Sequence, residues 1–144
     1  MEAQIKILEQ TIAEKPDAIV IVAADYNKLV EPVERAKKAG IKIITMDSGL
    51  NSDISECFIA TDNIEAGRKA ADELAKLLDE DAEIAIIGHV QGTMTAIDRE
   101  KGVREGLDKY NIKKIHGPYF SDGLPEKAYQ ITKELILEKP EIKG

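Results

Sequence analysis

Apolar positions in the first fifteen residues fall at helical spacing, with Ile5, Leu8 and Ile12 on one face among Glu, Gln and Lys, and the pattern stops at Pro16. An amphipathic helix is predicted over 2–15. The run 18–23 (Ala-Ile-Val-Ile-Val-Ala) is short, β-branched and uninterrupted by polar residues, which predicts a parallel strand covered on both faces. Helical spacing returns over 27–38, with Pro32 near the start and Gly40 positioned to end the helix in a left-handed conformation. A second buried strand is predicted over 41–46. The polar loop 47–53 breaks the rhythm before a short strand at 57–60. Beyond it the pattern predicts helix 64–78, strand 84–87, helix 95–110, strand 113–119 and helix 125–138.

Strand and helix alternate with short connections, which implies right-handed crossovers and an α/β fold of three layers around a parallel sheet. Ligands of such sheets sit beyond the carboxyl ends of the strands. The segments to inspect are therefore 23–27, 47–50, 61–63, 88–99 and 120–123.

Composition narrows the possibilities. The 144 residues are 43% hydrophobic and 33% charged, enough apolar mass for a core of about one domain. Twenty Lys and Arg against 27 Asp and Glu leave a net charge of −7, which repels a phosphate backbone and an anionic membrane surface, so nucleic acid is not an expected partner. Cys57 is the single cysteine and has no internal disulfide partner. No secretory leader is read at the amino terminus, and no apolar stretch approaches the roughly 20 residues that span a bilayer.

Catalytic signatures are missing. The chain has no GxxxxGK[ST] loop, no GxGxxG fingerprint and no GxSxG elbow; the glycine-containing turn 88–93 reads either as a helix N-terminus that offers N–H groups to a ligand or as an ordinary connection. His89 and His116 lack ligand spacing to each other and to Cys57, so neither a metal site nor a cofactor is expected. Four polar positions stand out. Asp47 directly follows a strand, where a carboxylate suits a polyhydroxylated ligand or, alternatively, a structural role in the loop. Asp62 and Asn63 read as caps of the next helix or as ligand groups. Arg99 lies about one turn into a helix, where its five-donor fork either reaches a ligand or pairs with Asp98 or Glu100 at the surface.

The segments IVIVAADYNKLVEPVERAKKAGIKIITMDSGLNSD, FIATDNIEAGRKAADELAKLL and GTMTAIDREKGVREGL, followed by KPEIKG, resemble the sugar-binding proteins of bacterial ABC importers, the ribose, allose and galactose type of periplasmic binding protein. The likeness runs in order through essentially the whole chain. It implies two doubly wound, flavodoxin-like lobes of the type I periplasmic binding protein fold, both incomplete, with a monosaccharide clamped between them. Residues 1–50 would be the latter part of the N-terminal lobe, 51–61 a hinge crossing, and 62–144 the earlier part of the C-terminal lobe; the chain resembles an internal fragment of a protein about twice its length.

By the same resemblance, Asp47 and Arg99 match residues that hydrogen-bond sugar hydroxyls from opposite lobes, and Asp62 and Asn63 match a hinge-side TDN motif of structural role. The chain departs from ribose binders at Ser48, where they carry a second arginine, at Ala23, where they carry an asparagine, and at Gly123, near a stacking aromatic. Tyr26 or Phe120 would supply the missing ring. The implied partners are a sugar and an ABC permease, the implied location is periplasmic or membrane-anchored outside the cell, and open strand edges would favour a homodimer by strand pairing or swapping.

Two alternatives remain at this stage. One is the effector-binding core of a lactose-repressor-type regulator, although such regulators carry a Gly-His pair where this chain has 80–83 (Glu-Asp-Ala-Glu). The other is a small magnesium-dependent α/β enzyme or phosphoacceptor domain using Asp47, for which Asp25 is the evident second carboxylate.

Overall fold

The apolar stripe of Ile5, Leu8 and Ile12 becomes α1 (Glu2–Glu14), and the two β-branched runs that follow become β1 (Ala18–Ile21) and β2 (Lys42–Met46) on either side of α2 (Val30–Lys38). The computed structural model describes residues 2–144. The remaining elements are β3 (Cys57–Ile59), α3 (Asn63–Ala75), β4 (Glu83–Gly88), α4 (Met94–Asp108), β5 (Lys114–Phe120) and α5 (Pro125–Glu138). The chain folds into two compact units. One holds the chain through Thr61 together with Gly92–Thr95, and the other holds Asp62–Gln91 and Ala96–Gly144.

In the first unit β1, β2 and β3 form a parallel sheet in that order. Its core joins Leu8 of α1 and Val33 and Ala36 of α2 to Ile19, Ile21 and Ile43 of the sheet. Gly40 ends α2 with φ +85°, the left-handed conformation its position predicts. Three expectations need correction. Burial of residues 18–23 on both faces does not occur: Ile19 and Ile21 point into the core, whereas Val20 is 60% exposed, because α1 and α2 both pack against the same face. The helix predicted over 27–38 begins only at Val30, since the Asp25 carboxylate accepts the N–H groups of Asn27 and Lys28 and holds that stretch as a turn. The strand at 57–60 ends at Ile59.

In the second unit β4 and β5 pair in parallel, and residues 142–144 pair with the other edge of β4. Ala71 of α3, Ile84 of β4, Leu107 of α4 and Ile112 form its core. The helices predicted over 64–78 and 95–110 run instead over 63–75 and 94–108, and the strands predicted over 84–87 and 113–119 run over 83–88 and 114–120. α4 stops early because Asn111 turns left-handed, at φ 59°, to lead Ile112 into the core. Among the described residues no helix is long and apolar enough to cross a membrane.

Candidate functional site

At the carboxyl end of β2 the backbone of Asp47 is left-handed, with φ 60°, an uncommon conformation for a side chain other than glycine. Its N–H donates to the Ile59 carbonyl at 2.8 Å, which anchors the turn to β3. The carboxylate is exposed, and among the described residues no hydrogen bond or ion pair to it is present. The chain then tightens at once: Ser48 N–H donates to the Met46 carbonyl at 2.7 Å, and the Ser48 carbonyl accepts Ala23 N–H at 3.0 Å. Ser48 itself is buried, and its hydroxyl accepts the N–H of Met94 at 3.2 Å. Ser48 thus ties β2 to the start of α4.

Tyr26 is held from both sides, donating its N–H to the Gly92 carbonyl at 2.7 Å and accepting Asn51 N–H at 2.8 Å. With Thr45, Ser55, Phe58 and Met94 it lines a cavity of about 350 Å³ whose buried Thr45 hydroxyl donates to Ser55 Oγ at 3.0 Å. Asp25 is spent on local structure, and a Cβ placed on Gly92, at φ +86°, would lie 3.0 Å from its carboxylate. No group of three ligating side chains among the described residues includes Asp47.

In the second unit Asp62 is the N-cap of α3, its carboxylate accepting Glu65 N–H at 2.9 Å. The next residue, Asn63, is buried, and its side-chain carbonyl accepts the Nε proton of Arg99 at 2.8 Å. That bond fixes the guanidinium and leaves four of its N–H donors available. The approach of α3 to α4 makes it possible. A Cβ on Gly67 would collide with the Arg99 carbonyl oxygen, one on Gly102 with the Ile64 carbonyl oxygen, and one on Gly106 with Ala71. Beside Arg99, burial pushes the Asp98 carboxyl up, an effect that Lys101 opposes and the Asp62 charge reinforces.

Phe120 ends β5 opposite Gly88, the last residue of β4, and its ring lies over that glycine, where a Cβ would be 3.0 Å away. Ser121 donates both its N–H and its hydroxyl to the Gly88 carbonyl, at 3.0 and 3.1 Å. Gly123, at φ +73°, leaves room for the His89 imidazole, which a Cβ there would meet at 2.6 Å. The first unit thus has Asp47 and Tyr26 just after its strands, and the second ends β5 at Phe120 and carries Arg99 near the start of α4. Such a combination serves hydroxyls that both donate and accept and carbon faces that stack.

Sequence reasoning missed two features. Asn63, which the sequence reads as a cap or hinge residue, also accepts the Nε proton of Arg99, 36 residues away, and the signal for that contact is the glycines at 67, 102 and 106 on facing helices. His116 is not isolated either: its Nε2 lies 3.0 Å from Glu83 Oε2, a pairing set by strand register rather than by local spacing.

Parallel strands joined by crossover helices define an α/β protein of the class whose ligands sit beyond the carboxyl ends of the strands. Residues 1–144 match the family model of the periplasmic binding protein domain, and the chain belongs to that family. It is 30% identical over 148 residues to the D-ribose/D-allose-binding protein of Pseudomonas aeruginosa, covering 99% of this chain and 46% of that protein. It is 27% identical over 151 residues to the D-allose-binding periplasmic protein of Escherichia coli, covering 99% of this chain and 49% of that one. The crystal structure of a sugar transporter from Clostridium phytofermentans superimposes with a TM-score of 0.89 at 40% identity, over 97% of this chain and 51% of that one. A solute-binding protein of an ABC transporter from Agrobacterium vitis, with bound D-fucose, gives 0.93 at 29% identity, over 99% and 50%. The fold is that of type I periplasmic binding protein lobes. The chain spans about half the length of these relatives, which are named for binding or transport and not for catalysis.

Proposed function

We propose that this chain carries monosaccharide-recognising groups of an ABC importer's binding protein and performs binding without catalysis. The observation that carries the reading is the exposed, unpartnered Asp47 carboxylate held in a left-handed turn at a strand end, in a family whose matched relatives are named for ribose and allose or hold bound D-fucose. Asp47 accepts sugar hydroxyl protons, and Arg99, oriented by Asn63, donates to sugar oxygens. Ser48 holds the Asp47 turn, Tyr26 and Phe120 offer rings, and Asp62 and Asn63 support α3. On this reading residues 1–50 and 62–144 belong to successive lobes joined through 51–61.

The protein that bears this chain works outside the cytoplasm, in the periplasm or anchored to the membrane, and delivers sugar to a permease. The open apolar face of the first sheet, with Val20, Met46 and Ile59 exposed, supports association of this chain with a second copy. Light scattering checks this, with a dimer expected and a stable monomer at high concentration against it.

Amide NMR of the isotopically labelled chain, titrated with D-ribose, D-allose and D-fucose, tests the sugar reading. Shifts are expected at Asp47, Ser48 and Arg99 for at least one sugar and are lost in D47N and R99K. A spectrum unmoved by every sugar at tens of millimolar overturns it.

A further inference from the structure

The strand ends far from Gly88 and Phe120 carry a second group of ligating side chains. β4 and β5 start in register, Glu83 opposite Lys114, so His116 stands two residues along β5 on the same face as Lys114. On the other edge of β4, Lys143 N–H donates to the Glu83 carbonyl at 2.7 Å and Ala85 N–H to the Gly144 carbonyl at 2.9 Å, which brings Glu141 to the same place. One ligand atom from each of Glu83, His116 and Glu141 lies within 4.8 Å of the others.

We propose that Glu83, His116 and Glu141 form a zinc site that fastens the C-terminal segment to the start of β4 and β5. The two oxygens of Glu83 face different neighbours. Oε1 accepts from Lys114 Nζ at 3.1 Å, while Oε2 lies 3.0 Å from His116 Nε2. Lys114 therefore keeps its partner while Oε2 turns to a cation. Tetrahedral zinc, with ligand bonds of about 2.0–2.2 Å, sets its donor atoms about 3.3 Å apart. The Glu83–His116 pair is already close to that spacing, and Glu141, being exposed, has the rotamer freedom to complete it.

Donor type chooses among metals. Calcium and magnesium favour all-oxygen shells, whereas one imidazole with two carboxylates suits zinc. Three protein ligands leave a fourth position for water. Glu83 and Glu141 border an open depression of about 500 Å³ that Asp79, Asp81 and Lys143 also line, so acidic groups outnumber basic ones on the approach. Asp79 and Asp81 raise the local cation concentration without being ligands. The site needs no sugar.

Calorimetric titration of the metal-stripped 144-residue chain with zinc chloride tests the proposal. One equivalent is expected to bind with micromolar affinity and to raise the melting temperature, as any ligand of the folded state does. E141Q alters an exposed side chain, so it keeps the wild-type circular dichroism spectrum and melting temperature without metal, yet it is expected to weaken zinc binding at least tenfold. H116Q should do the same, and H89Q should leave the affinity unchanged. Absence of zinc binding, full affinity in E141Q and H116Q, loss of affinity in H89Q alone, or calcium chloride binding at least as tightly as zinc each overturns the assignment.

Discussion

The Nε proton of Arg99 is donated to the buried side-chain carbonyl of Asn63 at 2.8 Å, linking the first turn of α3 to α4. A hydrogen bond to a charged group contributes about 1.5–3 kcal/mol, and Asn63→Ala removes the acceptor that Arg99 uses. Asn63→Ala is therefore expected to lower the urea-unfolding free energy by about 2 kcal/mol. Asn63→Asp keeps an acceptor for Arg99 and should recover most of the loss. Equal destabilisation by both substitutions would mean that the Arg99 contact is not what Asn63 contributes.

Gly102 tests the helix contact that brings those residues together. Glycine to alanine in a helix interior ordinarily gains about 1 kcal/mol from propensity. Here the new methyl group meets the Ile64 carbonyl oxygen, backbone that cannot rotate away, and overpacking of this kind costs about 1–3 kcal/mol or more. We expect Gly102→Ala to be destabilising on balance and to shift Arg99 resonances. An increase in melting temperature would show that the two helices separate freely.

Asp62→Ala removes the N-cap acceptor of α3 and is expected to cost about 1 kcal/mol in chemical denaturation. Asp62→Asn or Asp62→Ser should retain most of the stability, since either side chain accepts the Glu65 N–H. A smaller loss for Ala than for Ser would contradict capping.

Acid should loosen the segment between β2 and β3. The Lys37 ammonium donates to Glu56 at 2.8 Å and holds that carboxyl below its ordinary value, with Lys42 adding to the effect. A depressed folded-state value means that the pair's contribution is complete above about pH 4.3, the ordinary glutamate value, and is lost as pH falls through the folded one. NMR titration of the Glu56 side chain should give a midpoint below that of Glu56 in the urea-unfolded chain. A midpoint at or above it would contradict the contact.

Sugar affinity of the 144-residue chain should be millimolar. A micromolar site needs about 8 kcal/mol, and charge-assisted hydrogen bonds of about 1.5–3 kcal/mol each from Asp47 and Arg99 fall short before any ordering cost. Calorimetry reporting micromolar binding of a monosaccharide to the monomer would refute this estimate.

The order of elements was legible because period and capping are local properties. Ile5, Leu8 and Ile12 define α1 by spacing alone, Gly40 closes α2, and Pro125 opens α5, each within a residue or two of the structure. Asp47 was legible as a candidate because it follows a strand, Arg99 because it lies about one turn into a helix, and the family likeness because it runs along the whole chain. Tertiary structure decided what depends on residues distant in sequence. Ile19 and Val20 look equally apolar in the chain, yet one is core and the other open, because packing chose which sheet face α1 and α2 cover. Arg99 acquired Asn63 only through glycines on two helices, and His116 acquired Glu83 only through parallel register across 33 residues. Sequence spacing reports neighbours along one element, whereas a site is a meeting of elements whose relative placement is set by the packing of their side chains.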